Sequence, residues 1–237
     1  MASIVAKDLI VDFPVYGMTT NRSLKKTLLH AATGGMLARD ASEHVVVRAL
    51  DHVSFEFSEG DRVGLVGHNG SGKSTLLRVL AGIYEPGGGE LRVEGRVASM
   101  LSITLGMDME ATGLENAFMR GHVMGIPPRR MTSMVEEIAD FSGLGDYMRL
   151  PMRTYSTGMT MRLAFAISTA VDADIILMDE WLSVGDAEFV EKAKGRLDRM
   201  LTNAKIVVIA SHDQVLIDAQ CNKVIHLAHG KMVTNQQ

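Results

Sequence analysis

The sequence predicts an α/β fold built on a largely parallel sheet, and three observations predict it. From residue 157 onward helical and strand patterns alternate, which is the rhythm of βαβ units. An apolar strand runs directly into a glycine-rich loop and then an apolar helix over residues 62–82. The alternation breaks over 97–150, where helical patterns take over, so the α/β core carries an inserted helical subdomain.

Residues 3–13 and 45–57 cluster β-branched and aromatic side chains and read as strands. The stretch 17–44 between them is an insert where a short connection would serve. Within it, 23–32 reads as a short helix, with Leu24, Leu28 and Ala32 in one stripe and Arg22, Lys25 and Lys26 beside it. Ser23 can cap that helix and Gly34 can end it. A basic amphipathic segment of this kind suits a partner groove, an anionic surface, or packing on its own domain. The strand RVGLVG (62–67) and a helix over 73–82 follow, then a glycine-rich turn at 86–89 and strands near 90–94 and 96–101. Residues 113–150 read as helices broken by Pro127, Pro128 and Gly143. The alternating part comprises helix 157–171, strand 174–179, helix 187–201, strand 205–210, helix 213–219 and strand 223–228.

Composition narrows the class. The chain has 237 residues, 46% apolar and 22% charged, which is the make-up of an ordinary globular protein able to bury its own core. A net charge of -4 argues against a nucleic-acid-binding domain held by phosphate contacts. The single cysteine, Cys221, excludes an internal disulfide, argues for a reducing compartment, and reads as a small buried apolar residue. The opening MASIVAKDLI lacks the layout of a signal peptide, and no apolar run approaches the ~20 residues that span a bilayer. Any membrane span would come from another chain.

The chemistry starts at Gly67, His68, Asn69, Gly70, Ser71, Gly72, Lys73 and Ser74, which spell the G-x-x-x-x-G-K-[ST] pattern of the P-loop, with Thr75 next in the helix. The glycines let successive backbone amides turn toward phosphate oxygens, and the helix that follows presents its positive end. Lys73 would reach the β- and γ-phosphates of ATP, and the Ser74 hydroxyl would bind Mg²⁺. Further on, DIILMDE (174–180) is a buried-type strand that delivers two carboxylates to its carboxyl end. Asp179 is the candidate second ligand of Mg²⁺, and Glu180 the base that orients the attacking water. Ser156 is an N-cap for the helix TGMTMRLAFAISTAV, whose first two turns hold no acidic residue, so its N-terminus is open to an anion.

Taken in order, these motifs resemble an ABC-transporter ATPase subunit over nearly the whole chain. Tyr155, Ser156, Thr157, Gly158 and Met159 resemble the family's signature loop, and WLSVGD (181–186) resembles the loop whose aspartate, here Asp186, crosses the dimer interface. The resemblance implies a P-loop NTPase fold: a single ABC-type nucleotide-binding domain over 1–237 with an N-terminal antiparallel β portion and an inserted helical subdomain at about 102–165. It implies that His212, which follows the strand KIVVIAS, touches the γ-phosphate and positions the water. It also implies an aromatic that stacks on adenine, for which Tyr16 is chosen over Phe13 because Phe13 ends an alternating strand and reads as core. Ser156 and Gly158 would serve the nucleotide of a partner subunit, so a C₂ homodimer follows.

The phrases FPVYG, GHNGSGKSTLLRVLAGIYEP, EATGLEN, RTYSTGM and MDEWLSVGDAEF resemble the ATPases of bacterial cell-surface polysaccharide exporters, those for O-antigen above all. That implies lipid-linked polysaccharide as cargo, two transmembrane permease subunits as partners, and a place on the cytoplasmic face of the bacterial inner membrane. An extra C-terminal carbohydrate-reading sandwich is not expected here. Export of a teichoic acid or capsule shares every motif, and a soluble ABC ATPase of DNA repair or translation is the more distant alternative. The chain departs from the family at one place. No glutamine precedes Gln214, so MLSITLGMDMEATGLEN (100–116) lacks the glutamine usual there, and either Ser102 or Thr104 substitutes or the link to the permease is made differently. Eleven of the 17 methionines lie between Met100 and Met161, where they fit either a surface that receives a partner helix or a plain core. The other histidines form no metal cluster, and His226 and His229 read as structural or exposed.

Overall fold

In the computed structural model the described residues are 1–15, 37–39, 45–101, 103–179 and 187–233, with only the backbone described at 37–39, 187 and 188. Tyr16, Ser102, Glu180 and Asp186, and most of the 17–44 insert, lie outside them. The chain divides into two compact units. The first holds Met1–Val97, Asp174–Glu180 and Lys205–Gln237, and the second holds Ala98–Ala173 and Trp181–Ala204.

The first unit contains two sheets. One is antiparallel, with strands β1 (Ser3–Pro14), β2 (Leu37–Arg39), β3 (Val45–Ser58) and, after the glycine-rich turn, β5 (Gly88–Glu94), ordered β2-β3-β1-β5. β1 alternates strictly at its start, burying Ile4 and Ala6 in step with Ala2 just before it, which is the period of a strand with one covered face. The sequence does not predict β2. Its residues Leu37, Ala38 and Arg39 carry no strand signal of their own and are held by pairing with Val47, Val46 and Val45 of β3.

The other sheet contains β4 (Arg62–Val66), β7 (Ile175–Asp179), β8 (Ile206–Ala210), β9 (Lys223–Ala228) and β10 (Lys231–Val233). Its order is β10-β9-β4-β8-β7, with β10 antiparallel and the other four mutually parallel. Val63, Leu65, Ile175–Met178 and all of β8 are buried. Such unbroken apolar runs belong to strands covered on both faces. Two helices connect this sheet, α1 (Lys73–Leu80) after β4 and α6 (Gln214–Gln220) after β8.

The second unit is helical. It is entered by the short strand β6 (Val97–Ser99) and contains α2 (Gly113–Val123), α3 (Pro128–Ser142), α4 (Thr157–Ser168) and α5 (Ala187–Asn203). Phe141, Phe165 and Phe189 form its aromatic centre, with ring centroids 5.6–6.1 Å apart. Arg196 is nearly buried beside them. It lies 4.3 Å from the Phe141 ring, donates to the Thr169 carbonyl and pairs with Glu137 at 2.9 Å. Those three partners make a buried guanidinium tolerable. No helix among the described residues is long and apolar enough to cross a membrane.

Candidate nucleotide-binding site

The first unit gathers its chemistry at the carboxyl edge of the parallel sheet. Leu65 of β4 pairs with Ala210 of β8, and Ala210 pairs with Asp179 of β7, so the three stand in register across neighbouring strands. Gly67 lies two residues beyond Leu65, and His212 two residues beyond Ala210. The loop, the Asp179 carboxylate and His212 therefore emerge together at the edge where open α/β sheets bind ligands. His212 is exposed in the turn that opens α6, and Asp213 caps that helix through the Val215 and Leu216 amides. Asp179 is half-buried, the one residue of β7 not fully covered.

The loop is shaped by its glycines. Gly67 admits no side chain: a Cβ there would lie 2.2 Å from the Leu227 carbonyl oxygen. Gly72, at φ 110°, is left-handed, and its Cβ would lie 2.7 Å from the Ala49 oxygen. Gly72 is also the N-cap of α1, with no side chain capping the helix and no acidic residue in its first turn. The positive end of α1 therefore faces the loop without a counter-charge of its own. The Lys73 ammonium donates to the carbonyls of Gly67 at 2.6 Å and His68 at 3.1 Å. It is thus held across the mouth of the loop and engages no carboxylate among the described residues. His68, Asn69 and Gly70 are exposed, Gly70 faces open space, Ser71 is buried, and Ser74 and Thr75 are half-buried at the start of α1.

A cation, a helix terminus and a glycine cradle fit a polyphosphate. The Ser74 hydroxyl and the Asp179 carboxylate are the hard oxygen donors that suit Mg²⁺. The Ser71 Oγ is buried with no hydrogen-bond partner among the described residues, a polar atom left behind the cradle.

In the second unit, Ser156 caps α4 as its sequence predicts. The Ser156 Oγ accepts from the Met159 amide at 3.2 Å, and α4 has no acidic residue in its first turn. Gly158 is half-buried in that turn. Just ahead of it, Tyr155 is buried and its hydroxyl donates to the Tyr147 carbonyl at 2.6 Å. Burial raises the Tyr155 pKa above the ordinary tyrosine value, so the phenol stays protonated as a donor.

Two features escape the sequence reading. Asn116 is fully buried and bridges the loop ahead of α2. Its signal, a polar residue on the covered face of a helix, is visible only once that face is known. The second is a cleft of about 630 Å³ whose walls are Ala111, Leu114, Phe118 and Met119, with the carboxylates of Asp108, Glu110 and Glu115 around them. Phe13, expected in the core, is only half-buried and meets Tyr84 edge-on at 5.3 Å.

The fold and the site define an ATP-binding cassette. The sequence model of the ABC transporter family matches residues 50–183, and the chain belongs to that family. It is 44% identical to the O-antigen export system ATP-binding protein RfbE of Yersinia enterocolitica, over 97% of this chain and 96% of that protein. It is 36% identical to the O-antigen export system ATP-binding protein RfbB of Myxococcus xanthus, over 94% of this chain but only half of that protein's length. Among solved structures, a dimeric ATP-binding cassette in a post-hydrolysis state, bound to ADP and Pi, superposes with a TM-score of 0.69. That match is 18% identical and covers 99% of this chain and 98% of the other, which establishes the shared fold.

Proposed function

We propose that this chain is the ATP-hydrolysing subunit of an exporter that moves lipid-linked O-antigen or a related polysaccharide across the bacterial inner membrane. The observation that carries the chemistry is the loop at 67–74, with the Lys73 ammonium held over it and the uncapped end of α1 behind it. The likeness to RfbE over almost the full length of both proteins supports the cargo. A teichoic acid or capsule as cargo has less support, because the relative matched nearly end to end is an O-antigen protein.

In this reading Lys73 and the loop amides bind and orient the triphosphate. Ser74 and Asp179 hold Mg²⁺, which supplies positive charge to the phosphate oxygens. Glu180 takes the proton of the attacking water, His212 holds that water against the γ-phosphate, and Tyr16 stacks on adenine. Ser156, Gly158 and Asp186 complete the site of a second copy of the chain. The acidic-rimmed cleft of the helical unit receives a short apolar segment with basic flanks from the permease, and the chain sits on the cytoplasmic face through that contact. The insert at 17–44 faces the membrane.

The test separates binding from turnover. Lys73→Ala should abolish ATP binding, because the cation held over the loop is removed. Glu180→Gln should bind ATP normally and stop phosphate release, because the base is lost while the phosphate cradle survives. Near-full turnover by Glu180→Gln would remove Glu180 as the base, and unchanged binding by Lys73→Ala would discard the site.

A further inference from the structure

Far along the chain from the loop, the turn between β9 and β10 reaches under it. The Gly230 amide donates to the Ser71 carbonyl at 3.0 Å, and the Gly230 carbonyl accepts from the Asp51 amide at 2.9 Å. Gly230 is buried at φ 78°, and a Cβ there would lie 2.9 Å from the Ala49 oxygen. Gly72 packs on the same place, its missing Cβ 3.6 Å from the Gly230 Cα. Lys231 pairs with Asp51 at 3.1 Å, which ties the far side of the turn to β3. His229 is left-handed at φ 50°, and its ring lies 4.8 Å from the ring of His68. The His68 Nδ1 donates to the Asn69 carbonyl at 2.8 Å.

The consequence follows from the peptide plane. In a trans peptide the carbonyl and the next amide point in opposite directions. The Ser71 carbonyl is held down by Gly230, so the Gly72 N–H is turned the other way, toward the mouth of the loop. A loop of glycines has little stiffness of its own to keep an amide so aimed. We propose that residues 228–231 are the positioning element of the phosphate-binding loop: Gly230 aims the Gly72 amide, and the His229 ring seats His68. This rests on the reading of 67–74 as a phosphate site and adds residues that the P-loop pattern does not include.

The full chain is titrated with a fluorescent ATP analogue, then with inorganic triphosphate as competitor, and amide exchange is followed over 67–74. Gly230→Ala forces a side chain against the Ala49 carbonyl and displaces the turn. ATP and inorganic triphosphate should both weaken by about tenfold, the worth of one well-placed hydrogen bond, and exchange over 67–74 should quicken. His229→Asn keeps a residue that tolerates left-handed backbone and removes only the ring. It should weaken both ligands by about threefold with no change in melting temperature, which keeps the test decisive if Gly230→Ala folds poorly. Met232→Ala, exposed in the same hairpin, should bind as wild type. Wild-type affinities in both His229→Asn and Gly230→Ala, or a loss confined to ATP and absent with triphosphate, would overturn the proposal. A wild-type chain that binds neither ligand would overturn the reading of the loop itself.

Discussion

Asn116→Asp exchanges one nitrogen for one oxygen and should be among the most damaging isosteric changes in the helical unit. The Asn116 side chain is fully buried. Its amide nitrogen donates to the carbonyls of Asp108 at 2.8 Å and Thr112 at 3.0 Å, with Ala111 at 3.4 Å, and its oxygen accepts from the Asp108 amide at 2.8 Å. An ionised carboxylate would turn an oxygen with no proton toward three carbonyl oxygens. The cheaper course is to stay protonated. At pH 7 that lies about three pH units above an ordinary aspartate pKa, at about 1.36 kcal/mol each, so the cost is about 4 kcal/mol. Losing one donor adds about 1 kcal/mol. The folded-state pKa is raised, so the stability lost should be smallest near pH 4 and should grow as the pH rises above the unfolded value. Denaturant unfolding of wild type and variant at pH 5 and pH 8 measures this. At pH 8 the same arithmetic gives a loss of about 6.5 kcal/mol, which for a chain of this size is a fall in melting temperature of about 13–26 °C. A loss below about 1 kcal/mol, or one that does not change between the two pH values, would refute the assigned hydrogen bonds.

Other outcomes follow from local geometry. Ser156→Ala removes the cap on Met159 and should cost about 1 kcal/mol of stability, measured by denaturant unfolding, and phosphate release should fall if that helix end serves a partner's nucleotide. Asp174 accepts from the Arg96 amide at 2.9 Å and from Lys205 at 3.1 Å, which holds its pKa below the ordinary aspartate value, the Arg96 bond first. A lowered folded-state pKa gives stability above the unfolded value that is lost as pH falls through the folded one, so Asp174→Asn should cost about 1 kcal/mol at pH 7 and progressively less below about pH 4. Unfolding midpoints across that range check the sign.

What the sequence reveals is set by how local each cause is. The phosphate loop is legible because eight consecutive residues encode it. Strands β4, β7 and β8 are legible because burial on both faces forces continuous apolar runs. The Ser156 cap is legible because a cap and its helix are neighbours in the chain. What is missed depends on distant partners. β2 exists only through β3, and Asn116 acquires its role from a loop folded back over its helix. The last turn predicted for helix 157–171 is also missing. The Thr169 amide and hydroxyl both donate to the Phe165 carbonyl, at 3.0 and 2.7 Å, and the next amide, Ala170, turns to the Ile167 carbonyl at 3.2 Å, a tighter turn that closes the helix at Ser168. His229 is exposed, as its sequence reading allows, and what the structure adds is the contact of its ring with His68, 161 residues away.

Within the helical unit, the cleft and the start of α4 are joined by backbone. Thr112 bridges to Pro151, the Met152 amide donates to Ala111 at 2.9 Å, and the Arg153 amide donates to Met109 at 2.8 Å. Glu110 and Arg153 add an ion pair across the same seam. On the cleft side, Thr112 and Glu115 close a capping box on α2, which lowers the Glu115 pKa through the Thr112 amide and keeps that carboxylate charged. On the other side, Tyr155 packs its hydroxyl where a side chain on Gly113 would lie, 2.3 Å from the ideal Cβ position. Ala111 therefore lines the cleft and also bonds the segment that ends at Ser156. A shift of residues 109–111 cannot occur without either breaking two backbone hydrogen bonds or carrying residues 152–153 along. Each bond opened in this half-buried seam costs about 1 kcal/mol, so moving the segment as one piece is the easier path. The wall of the cleft and the cap of α4 are in this way two ends of one short, stiff connection, and it contains none of the glutamine that the family places in this region.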